Sequence, residues 1–323
     1  MNINRRMNQL PVVIGLLCLL SVAGCLGGPS QVQQAANPHD RIIRMDDMTG
    51  AYWVTFGTFG NGTGQFSSPY ALTTDSAGKI YVIDGSRLVR MDDMIGKDWT
   101  TFGELGGGPH VFNFPTGVVV NAAGNIYVTD ADRSGIVRMD DMTGTNWTTF
   151  GSRGTGPGQF LLPIAIALDA AGRIYVADSA GSRIVRMDDM TGKNWTTFGS
   201  AGGGINQFNR PWDLAVDRDG KIYVVDQGNA RIARMDDMTG TNWTTFGSHG
   251  TGLGRFLNPT DIAVDAAGKT YVIDDDRLVR FDNMTGTNWT TFGSKGNGPT
   301  QFSTLEDVWV DTTGRIYLLD SAD

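Results

Sequence analysis

The sequence has few of the residues that carry most redox and nucleophilic chemistry. Its 323 residues include two cysteines, Cys18 and Cys25, and both lie near the N-terminus. The rest of the chain therefore has no thiol for a disulfide framework, a cysteine nucleophile or a cysteine zinc site. The three histidines, His39, His110 and His249, are scattered and do not recur with metal-ligand spacing. Neither residue type indicates an active site.

Positive charge and long apolar runs are scarce as well. The formal net charge is −8, and no basic run follows Arg6. A nucleic-acid partner would require a basic surface for its phosphates, so we expect none. The apolar run over residues 11–20 is shorter than the roughly 20 residues that a membrane-spanning helix needs. With Arg5 and Arg6 in front of it, this run predicts a secretory signal peptide over residues 1–24.

The end of the signal peptide resembles the bacterial lipobox. The residues are Val22, Ala23, Gly24 and Cys25. The resemblance implies cleavage before Cys25 and acylation of that cysteine by diacylglycerol and palmitate-type chains, which anchor the protein outside the cytoplasm. Leu26 would favour the outer membrane in a two-membrane bacterium. An ordinary signal peptide with a chance cysteine is the alternative. Residues 25–40 are polar and without period, which predicts a flexible tether.

A repeat accounts for most of the remaining chain. The stretch RMDDMTGTNWTTFG, residues 138–151, occurs six times with small changes, and the copies begin 46 to 48 residues apart. The copies start at Arg44, Arg90, Arg138, Arg186, Arg234 and Arg280. A fixed period of this length is the signature of stacked supersecondary units. We therefore interpret the repeated residues as architecture and not as six active sites.

Each repeat reads as four short strands. In residues 151–199 the apolar and β-branched segments 163–169, 174–178, 184–187 and 195–198 are separated by turn residues. A four-stranded antiparallel sheet that is apolar on both faces must bury each face on a neighbour. Repeating it around an axis gives a β-propeller, an all-β fold.

The pattern from Gly154 to Val185 resembles the NHL repeat. It has G-x-G-x-G-Q-F, a proline-led apolar strand that ends in Asp, a glycine turn, I-Y-V-x-D and R-I-V. The resemblance covers about residues 40–323 and implies an NHL-type propeller in a bacterial lipoprotein. Six inner and six outer strand pairs can be counted, and the chain starts with an outer pair and ends with an inner pair. We therefore predict six blades over residues 41–323, closed by pairing of the N- and C-terminal segments.

Three consecutive blades depart from the repeat at the same position of the first strand, at the predicted channel mouth. Asp213, Asp261 and Asp307 stand in three consecutive blades where the other three have Ala71, Gly117 and Ala165. Trp212 and Glu306 stand one residue before Asp213 and Asp307. Because inner strands line the axial channel, these five residues are candidates for binding a ligand or an ion, and the three aspartates are candidate metal ligands. Capping of neighbouring backbone N–H groups is the alternative.

Similarity to six-bladed gluconolactonase-like and paraoxonase-like enzymes implies Ca²⁺ held by such acids. Calcium takes about 6–8 oxygen ligands, so water would have to complete the shell. Catalysis also needs a proton-transfer group. The resemblance to streptogramin lyases implies a histidine in that role, but no aligned inner strand has one, and His110 lies one loop residue outside.

Two other acidic patterns indicate structural roles and not functional sites. The Asp-Asp pairs, such as Asp188 and Asp189, stand in the predicted turn between the third and fourth strands, and Asp and Asn favour turn geometry. The Asp that ends the second strand and the Arg that starts the third predict an ion pair across a loop. These pairs are Asp84/Arg87, Asp178/Arg183, Asp226/Arg231 and Asp274/Arg277.

The leading functional prediction is a lipid-anchored, extracytoplasmic binding or scaffold module in the cell envelope. It would bind a protein, peptide or glycan as a monomer and contact the membrane only through its anchor. The binding face would be built from the glycine-rich loops and the loops between second and third strands. The rival is a Ca²⁺-dependent hydrolase or lyase, gluconolactonase-like or streptogramin-lyase-like, in the channel. A purely structural protein without a dedicated site is a third possibility.

Overall fold

A computed structural model of the chain describes residues 39–103 and 110–322. The predicted signal peptide, Cys25 and nearly all of the predicted tether lie outside the described residues. No helix in the described ranges is long and apolar enough to cross a membrane. The only helices there are two single 3-10 turns, Ser179–Gly181 and Gln227–Asn229, and the rest of the regular structure is strand.

Five blades are uninterrupted four-stranded antiparallel sheets. Blade one contains Pro69–Thr74, Ile80–Asp84, Arg87–Met91 and Thr100–Phe102. Blade two contains Pro115–Val120, Ile126–Asp130, Gly135–Met139 and Thr148–Phe150. Blade three contains Pro163–Leu168, Ile174–Asp178, Arg183–Met187 and Thr196–Phe198. Blade four contains Pro211–Val216, Ile222–Asp226, Arg231–Met235 and Thr244–Phe246. Blade five contains Pro259–Val264, Thr270–Asp274, Arg277–Phe281 and Thr290–Phe292.

Blade six is assembled from the two ends of the propeller. Its first two strands are Thr304–Val310 and Ile316–Ser321, and its outer two are Arg41–Met45 and Val54–Phe56. Strand Arg41–Met45 pairs antiparallel with Ile316–Ser321, from Arg41 opposite Asp320 to Met45 opposite Ile316. The predicted six-bladed propeller, closed by its N- and C-terminal segments, is therefore confirmed.

The strands follow from residue type and position. Second strands of the form I-Y-V-x-D are buried on both faces, as β-branched and aromatic residues between two packed sheets should be. Fourth strands are only three residues long and more exposed. Three glycine-rich loops add two-residue parallel pairings. These are Thr58–Phe59 with Gln65–Phe66, Ser152–Arg153 with Gln159–Phe160, and Ser294–Lys295 with Gln301–Phe302.

An aromatic cluster between each pair of neighbouring blades explains why Phe-Gly and Trp recur in every repeat. Phe208 is fully buried and lies 5.4 Å from Trp243 between ring centroids. Its ring also covers Gly199, where an added Cβ would come within 2.5 Å of it. Gly199 has φ of 110°, so both the close approach and the backbone conformation require glycine there.

The predicted tether extends two residues too far into the propeller. His39 and Asp40, which the polar composition placed in the tether, are 3% and 1% exposed. The His39 ring bonds through Nδ1 to Asp320 Oδ2 (2.9 Å) and through Nε2 to Asn297 Oδ1 (2.6 Å). These contacts hold His39 against the C-terminal part of the chain, and the N–H of Ala322 donates to Asp40 Oδ1 (3.4 Å). The composition of the segment does not reveal that either residue is buried.

Candidate functional site

Strand register defines two faces of the propeller. In blade three Pro163 is opposite Asp178, Asp178 is opposite Arg183, and Ile184 is opposite Phe198. The start of the first strand therefore shares one edge with the loop between the second and third strands and with the end of the fourth. We call this edge the loop face, since the glycine-rich loops lie there, and the opposite edge the turn face.

First strands stand at the inner end of every sheet and contact one another around the ring. Each has a β-bulge beside its leading residue, as between Pro211 and Asp213, where Trp212 is the extra residue. In blade six Glu306 is the extra residue between Leu305 and Asp307. The bulge thus lies at the loop-face end of each first strand, where the sequence analysis predicted the channel mouth.

The three channel aspartates each reach the next blade. The N–H of Ile262 donates to Asp213 Oδ2 (2.8 Å). The N–H of Val308 donates to Asp261 Oδ1 (3.0 Å), and the N–H of Leu72 donates to Asp307 Oδ2 (3.1 Å). The structure thus shows the capping contacts that the sequence left as an alternative.

These contacts have a simple physical cause. A first strand is the inner edge of its sheet, so one row of its N–H groups has no partner strand, and a buried unpaired N–H is costly. A carboxylate on the neighbouring blade is a strong acceptor for such a group. The carboxylates join blade four to five, five to six and six to one, whereas Ala71, Gly117 and Ala165 have no side-chain acceptor. We call the three carboxylates, those of Asp213, Asp261 and Asp307, the channel caps.

The geometry does not support a cation shared by Asp213, Asp261 and Asp307. No three His, Cys, Asp or Glu residues in the described ranges come together in a way that could hold a metal ion. Each of the three carboxylates instead directs an oxygen to a different blade. Calcium at these residues remains a prediction from the sequence.

Trp212 and Glu306, the other two residues predicted at the channel mouth, contact different partners. Trp212 is 8% exposed, and the Arg210 guanidinium carbon lies 5.4 Å from the centroid of its ring, in cation–π range. Glu306 Oε1 accepts a hydrogen bond from Ser321 Oγ (3.1 Å). Arg210, which the sequence analysis did not single out, thus pairs with Trp212.

The three histidines lie at separate places in the described ranges. His110 stacks on Trp147 with 5.1 Å between ring centroids and 16° between planes. Trp147 precedes the outermost strand of blade two, so this stack lies away from the channel mouth. His39 is engaged with Asp320, and His249 is exposed on a glycine-rich loop.

The predicted loop ion pairs are confirmed and are structural. Arg183 Nε donates to the fully buried Asp178 Oδ2 (2.9 Å), whose Oδ1 accepts the N–H groups of Leu161 and Leu162. Blade two has the same pair, which the sequence analysis missed, between Asp130 and Arg133 (3.2 Å).

The Asp-Asp pairs occupy turns, as predicted. The second Asp of the pair in blade four, Asp237, accepts hydrogen bonds from the hydroxyl (2.6 Å) and N–H (2.8 Å) of Thr239. These bonds favour the ionised form and lower the pKa of Asp237 to about 2. The turns lie on the turn face, away from the channel mouth.

We expect the substitution Asp307→Ala to lower the free energy of unfolding by about 1.5–3 kcal/mol, because the N–H of Leu72 loses a charged acceptor. Asp307→Asn keeps a side-chain oxygen at the same place, so its loss should be clearly smaller. Urea unfolding of both variants measures the difference. Equal stability of Asp307→Ala and the unmodified protein would show that the cap contributes nothing.

Comparison with known proteins agrees with this architecture. The family model for the NHL repeat matches residues 112–138 and 208–235. Among solved structures, a streptogramin B lyase is 16% identical, with a TM-score of 0.56 over 79% of this chain and 77% of that chain. A catalytically inactive virginiamycin B lyase from Staphylococcus aureus, solved with quinupristin, is 17% identical, with a TM-score of 0.54 over 77% and 76%. The selenomethionine-substituted virginiamycin B lyase from Staphylococcus aureus is 15% identical, with a TM-score of 0.54 over 81% and 98%.

The chain is thus a six-bladed β-propeller with four-stranded antiparallel blades. Two of its segments, residues 112–138 and 208–235, match the NHL repeat, and at these identities its likeness to the lyases concerns the fold. The curated proteins contain no match to the chain.

Proposed function

We propose that this protein is a lipid-anchored, extracytoplasmic binding or scaffold module of the bacterial cell envelope. Its partner would be a protein, a peptide or a glycan, held by the loop face. The anchor at Cys25 and the signal peptide lie outside the described residues and are part of the proposal. The propeller would act as a rigid platform, with its loops as the contact surface.

The distribution of exposed apolar side chains carries this proposal. The loop face has five of the seven large apolar side chains that are exposed in the described ranges, and Ile205 and Leu253 are 78% and 75% exposed on neighbouring glycine-rich loops. The five are Phe59, Phe114, Ile205, Leu253 and Leu257. Exposed apolar groups among polar loops are typical of a surface that a partner covers. The Arg210–Trp212 pair belongs to the same face, and Arg and Trp are enriched where interfaces gain most of their energy.

Two loop-face substitutions test the proposal. The assay measures the amount of partner that the protein retains after crosslinking in envelope extract of the source bacterium. The double variant Ile205→Ser, Leu253→Ser should retain at least about tenfold less partner than the unmodified protein, because truncating interface anchors costs about 2 kcal/mol or more. Both side chains are solvent-exposed, so the fold should be unaffected. Ile95→Ser is the matched control, since Ile95 is 80% exposed on the turn face.

Two outcomes would contradict the proposal. One is the same retained partner with the double variant as with the unmodified protein. The other is an equal loss of retained partner with Ile95→Ser, which would show that the contact is not specific to the loop face.

A Ca²⁺-dependent hydrolase or lyase in the channel is the second candidate. Its support is the likeness of fold to the streptogramin B lyases. It would act through Asp213, Asp261, Glu306 and Asp307. The engagement of the three aspartates with backbone N–H groups favours the binding module, and dependence of stability on calcium distinguishes the two.

A further inference from the structure

The outer turns on the turn face hold a repeated Arg–Asp–Asn arrangement. In blade three Arg186 donates to Asp188 Oδ1 (2.7 Å), and Asn194 Nδ2 donates to Asp188 Oδ2 (2.6 Å). The asparagine fixes the carboxylate, and the carboxylate neutralises the arginine. The Asn–Asp contact recurs in blades two, four and five as Asn146–Asp140, Asn242–Asp236 and Asn288–Asp282.

Blade six breaks this arrangement. Tyr52 stands where blades two to five have asparagine and blade one has Asp98, and it has the same left-handed backbone, with φ of 54°. Blade one nevertheless keeps its Arg90–Asp92 pair. Its side chain is 77% exposed and gives the neighbouring carboxylate no amide donor. Asp46 is exposed, and Arg44 forms none of the ion pairs found in the described ranges. Arg44 therefore lacks the carboxylate that its counterparts have.

Arg44 lines a cavity of about 330 Å³ between blade six and blade one. Arg315, also outside the ion pairs of the described residues, lies in the same wall. The cavity walls carry the carboxylates of Asp75, Asp92, Asp93 and Asp311.

Most of these carboxylates are already engaged. Oδ1 of Asp75 accepts the N–H groups of Ala77 and Lys79, and its Oδ2 accepts the Tyr81 hydroxyl (3.3 Å). Asp311 has the same contacts in its own turn, and Asp92 pairs with Arg90. Asp93 accepts protein hydrogen bonds through Oδ1 only, from the N–H groups of Ile95 and Lys97.

We propose that this cavity binds a small zwitterion with a carboxylate and an ammonium group, such as an amino acid or a dipeptide. The carboxylate would pair with the planar guanidinium of Arg44, which suits bidentate binding of a carboxylate. The ammonium would face Asp93. A simple anion is disfavoured because four carboxylates share the cavity, and a simple cation would leave Arg44 without a carboxylate, whereas a zwitterion satisfies both charges. This site lies on the turn face and is independent of the function proposed for the loop face.

Binding of glycylglycine to the full chain tests the site, with acetate and methylamine as single-charge probes. Isothermal titration should show saturable binding of glycylglycine at about millimolar concentration and at least tenfold weaker binding of either single-charge probe. Arg44→Ala should weaken glycylglycine binding by about 10–100-fold, the range expected for losing a charged hydrogen-bond partner. Arg186→Ala, in an intact Arg–Asp–Asn arrangement, is the matched control and should leave binding unchanged.

The substitution Tyr52→Asn provides a second variant that should keep the fold, since it restores the residue found in four other blades. It should draw Asp46 onto Arg44 and abolish glycylglycine binding while leaving the melting temperature unchanged or higher. Binding that survives Tyr52→Asn, or that is lost equally with Arg186→Ala, would overturn the proposal. Absence of saturable glycylglycine binding to the unmodified protein would overturn it as well.

Discussion

Replacing Asp320 by alanine is expected to lower the free energy of unfolding by about 3–5 kcal/mol, the cost of leaving a buried charge partner uncompensated. Asp320 is fully buried in blade six and joins the two ends of the propeller. Its Oδ2 accepts hydrogen bonds from Arg41 Nε (2.9 Å) and contacts the His39 ring, and its Oδ1 accepts the N–H of Ser303 (2.8 Å). Alanine leaves all of these groups without their acceptor.

Hydrogen exchange should show where this energy is lost. The amides of strand Arg41–Met45 should lose protection selectively in Asp320→Ala, because this strand is held to the C-terminal strand. Asp226→Ala is the matched control, since Asp226 makes the equivalent contacts inside an uninterrupted blade. It should cost a similar free energy without that selective loss. Unchanged stability and protection in Asp320→Ala would contradict closure through this residue.

Replacing Asp40 by asparagine is expected to stabilise the protein at neutral pH by up to about 3 kcal/mol, from a shift of roughly two pKa units. Burial is the main cause that raises the pKa of Asp40 from 3.8 to about 6; the carboxylates of Asp84 and Asp320 raise it further, whereas the N–H of Ala322 and His39 oppose the shift. Asp320 is paired with Arg41, and Asp84 with Arg87. Oδ2 of Asp40 is buried and has no hydrogen-bond partner.

The sign of the pH dependence follows from the two pKa values. Between pH 3.8 and about 6 the folded protein keeps the proton on Asp40, whereas the unfolded chain has lost it. Stability should therefore fall as the pH rises through this window, and the penalty should be complete above about pH 6. Asp40→Asn carries no charge, so its advantage over the unmodified protein should grow from near zero below pH 4 to its full value at pH 7.

Denaturant unfolding from pH 4 to pH 7 measures this difference, because contributions from other carboxyl groups cancel between the two proteins. Asp219→Asn removes one negative charge from a side chain that is 62% exposed and should give no such profile. A difference between Asp40→Asn and the unmodified protein that is constant across this range would contradict the buried charge.

The period of the sequence was sufficient to predict the blades and their closure, because each unit has two apolar faces that only neighbours can cover. The loop contacts were predictable where the repeat is regular. Asp130 and Arg133 were missed because Gly135 occupies the place of the usual arginine, and Arg133 reaches the same carboxylate from inside the loop.

The role of the channel residues could not be read from the sequence. The alignment located Asp213 and its equivalents, but only the register of the neighbouring blade shows that the carboxylate meets the N–H of Ile262. The burial of His39 likewise depends on Asp320, 281 positions away along the chain. In the same way Tyr52 is a visible exception to the repeat, but the exposure of Asp46 and the cavity beside Arg44 emerge only from the packing of blade six on blade one.

A thermal melt of the full chain in EDTA, followed by titration with Ca²⁺, tests most directly whether the channel caps are structural. We predict the same melting temperature at every calcium concentration, since Asp213, Asp261 and Asp307 are engaged with backbone N–H groups of different blades. A melting temperature that rises with Ca²⁺ and saturates, as mass action requires of a ligand that binds only the folded state, would contradict this account. It would make the calcium-dependent enzyme the leading function.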